Sequence, residues 1–182
     1  MKGMNWEDAK NLFSSHAFGR QDVPNAYEKL VESFVEFCGG LPLSLKVLGA
    51  HLYGMDKYYW EFELEKFKNV QPMDIMQSLK ISFDGLDSLE KQIFLDIACF
   101  FNKEIRYLVK NVAMSIWKVA GWSAELAIQT LQEKCLLELG KDDEFLMHDH
   151  LRDLGRQLAD DLVSATLESA ISIFHGETLA HA

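Results

Sequence analysis

The sequence predicts a mainly α-helical chain, a helical bundle followed by a winged-helix subdomain with a short β-hairpin, and three observations carry that prediction. Apolar residues recur at helical spacing in segment after segment from Trp6 to Leu131. The period then changes: Leu136 to Leu139 and Phe145 to Met147 read as two short strands around the polar turn Gly140-Lys141-Asp142-Asp143. Helical spacing returns with Leu151, Leu154 and Leu158. Helices, then a hairpin, then a helix is the winged-helix order.

Each element has its own signals. Asn5 is placed to cap a first helix with Trp6, Ala9, Leu12, Phe13, His16 and Ala17 on one face, ending near Gly19. A second helix follows the Pro24 start signal, with Tyr27, Leu30, Val31, Phe34, Val35 and Cys38 at helical intervals, and Gly39-Gly40 stops it. Leu41-Pro42-Leu43 opens a third through Leu45, Leu48 and Leu52, so two helices meet at a tight Gly-Gly-Leu-Pro corner. Trp60, Leu64 and Phe67 mark a fourth face, and Pro72 breaks the chain before Ile75, Leu79 and Phe83. We therefore expect a bundle over residues 5–70, a boundary between Asn69 and Asp74, a winged helix over 74–160, and a divergent tail over 161–182 holding at most one poorly packed helix. Asp87 with Glu90 three residues on forms a candidate capping box for a nearly all-apolar helix through Ile93, Phe94, Ile97 and Phe101. Ile105, Leu108, Val109, Val112, Ala113 and Ile116 predict the next, and Ser123 is placed to cap one whose face is Ala124, Ile128, Leu131 and Cys135. Trp6, Trp60, Phe34, Phe83 and Phe94 are read as core, and Arg152, Asp153 and Arg156 as a solvated helix face.

The 182 residues are 48% hydrophobic and 25% charged, ordinary for a globular protein with a sizeable core. The apolar run Ile93 to Phe101 is broken by Asp96 and falls short of the ~18 to 20 residues that a membrane span needs. No secretory signal opens the chain, and Cys38, Cys99 and Cys135 read as reduced core residues, so the expectation is an intracellular, cytoplasmic protein with the nucleus as a second location. No Cys/His spacing suits zinc. A net charge of −10 without a basic run disfavours a nucleic-acid or anionic-membrane surface.

His148 is the residue most suggestive of function. Asp149 is a preferred N-cap type, and capping by it would put His148 at the mouth of a helix N-terminus, where unpaired N–H groups and the helix dipole favour a phosphate. The alternative is a half-buried histidine bonded to a neighbouring carbonyl.

Four stretches resemble, in order, the motifs of plant disease-resistance proteins of the nucleotide-binding, leucine-rich-repeat type. Leu12-Phe13 through His16-Ala17-Phe18 resembles the block before the GLPL motif, and Gly40-Leu41-Pro42-Leu43 matches GLPL itself. Ile81 to Leu86 with Phe94 to Phe101 resembles the block that follows it in receptors with an N-terminal Toll-like domain, and Met147-His148-Asp149 matches MHD. The resemblance covers about Asn5 to Asp160. It implies an ATP/ADP switch of the STAND class, of which this chain would be the two ARC subdomains. It also implies that Pro42 packs against the adenine and His148 contacts the β-phosphate of ADP, with Asp149 as the helix cap that supports the switch.

No stretch matches a Walker A loop or supplies an acidic strand end for Mg²⁺, so the chain is expected not to be an enzyme and to bind ADP or ATP weakly or not at all by itself. The nucleotide-binding core, Toll-like and leucine-rich-repeat domains of full-length relatives are the implied partners, and a truncated product or fragment is the implied origin. His150 stands where the family more often has an apolar residue. Two other readings are open to these residues. A winged-helix DNA-binding or protein-interaction module would use the helix from Ser123 to Cys135, but its charges, Glu125, Glu133 and Lys134, are mostly acidic. A hydrolase built on Cys135, His148 and Asp149 is disfavoured because adjacent His-Asp side chains diverge.

Overall fold

The computed structural model describes the backbone of residues 4–68, 75–100, 110–141 and 143–179. The expected boundary between Asn69 and Asp74, and Phe101 to Val109, lie outside the described residues. Among the described residues the fold is nine α-helices and one hairpin, as the change of period predicts.

Helix α1, Trp6–Phe18, starts where Asn5 Oδ1 accepts the Asp8 N–H at 2.9 Å and ends at Gly19, φ 67°. A single 3-10 turn, Asn25–Tyr27, leads into α2, Glu28–Phe37. Gly39 and Gly40 take φ of 56° and 71°, a left-handed pair that only glycine adopts cheaply, and Pro42 then stands in the first turn of α3, Pro42–Leu52. Asp56 accepts the Tyr59 N–H at 2.8 Å where α4, Lys57–Lys68, begins. These helices close a core of Phe13, Val31, Phe34, Leu45, Leu48, Leu52 and Trp60. Trp60 is its hub: Phe18 stacks on it, Phe13, Tyr27 and Phe34 meet it edge-on, and its indole N–H donates to Leu52 O at 3.1 Å. Trp6, expected in this core, is 49% exposed on the first turn of α1.

The second core forms from α5, Ile75–Asp84, α6, Ser88–Phe100, α7, Lys110–Val119, α8, Ala124–Glu133, and α9, Asp149–Leu179. The hairpin pairs β1, Glu138–Leu139, antiparallel with β2, Phe145–Leu146. The Asp87–Glu90 box closes as predicted: Glu90 N–H donates to Asp87 Oδ1 and Asp87 N–H to Glu90 Oε2, both at 2.8 Å. Asp96, the charge that interrupts the apolar run of α6, accepts the Trp117 indole N–H at 2.9 Å and so fixes α7. Helices α6 and α9 cross closely because position 155 is glycine; a Cβ there would lie 2.3 Å from the Cβ of Ala98.

Three expectations are corrected. Of the face expected on α7, Ala113 is buried, but Val112 and Ile116 are 45% and 54% exposed, and Trp117 takes the buried place beside Ala113. Ser123 makes no side-chain capping bond to α8. Cys135 does not extend the α8 face: the helix ends at Glu133, and Cys135 turns left-handed at φ 57° to start the run toward β1.

The seam between the cores is more polar. Ser44 of α3 donates to Ser78 of α5 at 2.9 Å, because the Ser78 hydroxyl is already committed to Ile75 O. His51, also on α3, is buried with its Nε2 3.3 Å from the Tyr59 hydroxyl. Burial, then the charge of Lys134, pushes its pKa down to about 4.

Candidate nucleotide-facing junction

The junction between β2 and α9 is pinned on both sides by apolar burial. Met147 is buried behind the hairpin, Leu151 and Leu154 are buried under α9, and the three residues between them, His148, Asp149 and His150, are exposed. Two apolar anchors therefore hold a short polar stretch at the surface.

The cap of α9 differs from the sequence expectation. Arg152 N–H donates to His148 O at 3.0 Å and Leu151 N–H to the same oxygen at 2.9 Å, so His148 occupies the cap position and Asp149 is the first helical residue. The imidazole takes part as well: His150 N–H donates to His148 Nδ1 at 3.2 Å. A ring nitrogen that accepts carries no proton, so the neutral ring holds its proton on Nε2. His148 is thus an exposed N–H donor beside a helix N-terminus, not the half-buried residue of the alternative reading. The His150 ring stacks on it, centroids 5.3 Å apart and planes 21° apart.

Asp149, in the first turn, carries the acidic charge that a helix N-terminus favours. Its Oδ1 accepts from Arg152 Nη1 at 2.8 Å, and Arg152 Nη2 donates to Met147 O at 3.0 Å. Arg152 is therefore not on a solvated face; its side chain is only 12% exposed. The acid and base three apart at a helix start were a signal for this pair that the sequence reading passed over.

Pro42 is exposed at the start of α3, a separate helix terminus. The two places are connected through α5, which packs against both α3 and α9. Cys135, the candidate nucleophile of the hydrolase reading, has its Sγ 3.4 Å from Nδ1 of His16 on α1. Burial raises the pKa of that thiol and lowers that of the imidazole, and both shifts disfavour the thiolate–imidazolium form that nucleophilic chemistry would use.

Helices, a two-stranded hairpin and a following helix that covers them define a winged-helix protein, with a helical bundle ahead of it. Residues 87–162 match the family of winged-helix domains of Roq1-like disease resistance proteins, and the chain is homologous to plant disease resistance proteins. Disease resistance protein RUN1 of Vitis rotundifolia is 40% identical over 159 residues, 87% of this chain and 12% of that protein. TMV resistance protein N of Nicotiana glutinosa is 36% identical over 148 residues, 81% of this chain and 12% of that protein. Disease resistance-like protein DSC1 of Arabidopsis thaliana is 33% identical over 157 residues, 86% of this chain and 12% of that protein. The chain thus spans about an eighth of the length of the curated relatives it matches.

Proposed function

We propose that this chain acts as the ARC portion of a plant immune receptor of the STAND nucleotide-switch class: a bundle over residues 5–70, a winged helix over 74–160, and a tail over 161–182. In this reading Pro42 faces the adenine and His148 the β-phosphate of ADP, while Asp149 supports the switch from within the helix. The observation that carries the reading is the exposed His148 ring, its Nδ1 engaged by His150 and its Nε2 left as a donor beside the N-terminus of α9. Such a donor suits an anion.

The chain alone lacks the interaction energy to hold a nucleotide tightly. One helix terminus contributes about 0.3 to 2 kcal/mol toward an anion, far less than a micromolar Kd requires. In this proposal the rest of the receptor supplies most of the affinity, and the chain itself is a sensor rather than an enzyme. Calorimetry with ADP and ATP on the 182-residue chain should show no binding at micromolar ligand; low-micromolar affinity would overturn this division of labour. In a complete receptor carrying Asn5 to Asp160, His148→Ala should raise resting cell-death signalling, because a contact made in the ADP state alone stabilises that state. Equal resting activity, with both proteins folded and expressed, would remove the switch role.

A further inference from the structure

We propose that Arg152 is the positioning residue of this junction, a clamp that fixes the ring of His148 and covers the charge of Asp149; the ligand-facing part of this proposal rests on the reading of His148 given above. One residue bonds to three consecutive positions. Its Nη2 donates to Met147 O at 3.0 Å, its backbone N–H to His148 O at 3.0 Å, and its Nη1 to Asp149 Oδ1 at 2.8 Å. The planar guanidinium fork holds two acceptors at a fixed separation, which a lysine ammonium does not. The fork is itself held, since Leu151 and Leu154 bury the helix on either side of it and only 12% of the Arg152 side chain is exposed.

Two consequences follow. With Met147 and Asp149 fixed on either side, the His148 ring stays where Nδ1 meets the His150 N–H at 3.2 Å, so the clamp indirectly sets which nitrogen carries the proton. The second consequence is electrostatic. Asp149 puts a carboxylate 68% exposed beside the place where His148 would meet an anion, and a bare carboxylate there would repel it. Paired to Arg152, that carboxylate is neutralised, and the helix terminus and the Nε2 donor are left as the features an anion meets.

The test reads the imidazole directly. Long-range proton–nitrogen NMR of the ¹⁵N-labelled chain in mildly alkaline buffer, with the His148 ring assigned by difference from His148→Ala, reports the proton distribution between Nδ1 and Nε2. The wild type should show the Nε2-protonated form. Arg152→Met should move both ring nitrogens toward the averaged shifts of a free imidazole, and Arg152→Lys should restore the wild-type pattern only in part. A folded Arg152→Met chain with unchanged His148 shifts would overturn the proposal, because a merely structural arginine leaves the ring alone. Should Arg152→Met fail to fold, Arg152→Lys carries the same decision: wild-type shifts overturn the clamp, and averaged shifts support it. The same substitutions in a complete receptor separate the two ideas. Averaged His148 shifts with unaltered resting signalling in both Arg152→Met and His148→Ala would keep the clamp and remove the nucleotide reading.

Discussion

The two cores of this chain are held by different means. The first is organised around one side chain, Trp60, ringed by Phe13, Phe18, Tyr27 and Phe34. Among its described residues the second shows no such hub; its buried side chains are mostly aliphatic, and its helices are tied by polar fixtures: the Asp87–Glu90 box and the Arg152 clamp at helix starts, and the Trp117–Asp96 bond between two helices. An aromatic hub resists change everywhere at once, because every helix that touches it loses contact together. Fixtures at helix ends act locally. That is the more suitable arrangement for a unit that carries an exposed polar junction, since the junction can respond while the aliphatic core stays packed.

The largest effect should come from removing the hub. Trp60 is 1% exposed, and Trp60→Ala should cost about 3 to 5 kcal/mol, read as a lower denaturant midpoint. Hydrogen exchange sharpens the point: amides of α2 and α3 should lose protection while those of α6 keep more of theirs. Equal loss in both would show that the cores unfold as one and that the contrast between them has no energetic meaning.

The seam should be the acid-sensitive part. His51 is held neutral when folded, with a pKa of about 4 against an ordinary 6.5, so the unfolded chain takes up the proton first. Stability from this group is complete above pH 6.5, falls as the pH drops toward about 4, and is level below that. The loss should be on the order of 3 kcal/mol, since each pKa unit corresponds to about 1.4 kcal/mol. Urea midpoints at intervals across that range should fall less steeply for His51→Gln than for the wild type. Parallel curves would mean that the buried imidazole is not what makes the seam fragile in acid.

A smaller effect tests the aliphatic core. Gly155→Ala gains helix propensity of up to about 1 kcal/mol but forces α6 and α9 apart, at a cost of about 1 to 3 kcal/mol. The net should be a modest destabilisation, and Ala98→Gly in the same chain should recover part of it by removing the methyl that the new Cβ meets. Simple additivity of the two changes would show that this crossing is not set by the glycine.

How much of this was legible in the sequence depended on how local the cause was. The Asn5 cap, the Gly39-Gly40 corner and the Asp87–Glu90 box are decided within a few residues, and each formed as predicted. Periodicity was less decisive on α7, where the expected face held Ala113 correctly but extended to Val112 and Ile116 on one side instead of to Trp117 on the other. What chose between them was Asp96, distant in sequence, which accepts the indole N–H of Trp117. The junction was legible as a place but not in its detail. Aspartate is the commoner cap type, and nothing in the residues alone shows an imidazole accepting through Nδ1 in its stead; the spacing of Asp149 and Arg152 signals their pair, but not the reach of the guanidinium to Met147 O. Trp6, an apolar residue at a helix start, kept its expected stripe but lies where the bundle does not cover it.

The smallest predicted difference concerns two of the caps, one taken from each core. Asn5 gives α1 a bond to the Asp8 N–H at 2.9 Å, while Asp87 and Glu90 exchange two bonds with backbone N–H groups at 2.8 Å each. Loss of a cap costs about 0.5 to 2 kcal/mol, and we expect Asn5→Ala near the lower end and Asp87→Ala near the upper. Position adds to the count of bonds. The first turn of α1 carries the half-exposed Trp6 and can fray without opening the aromatic hub, whereas α6 meets both α8 and α9, so fraying at its start is passed to the crossing at Gly155. Glu90→Ala, which removes one of the two bonds and leaves Asp87 in place, should fall between them. Thermal denaturation of the three variants decides it. Equal melting temperatures for Asn5→Ala and Asp87→Ala would mean that the second core gains nothing from its polar fixtures beyond what any helix gains from a cap, and the contrast with the aromatic core would then rest on side-chain packing alone.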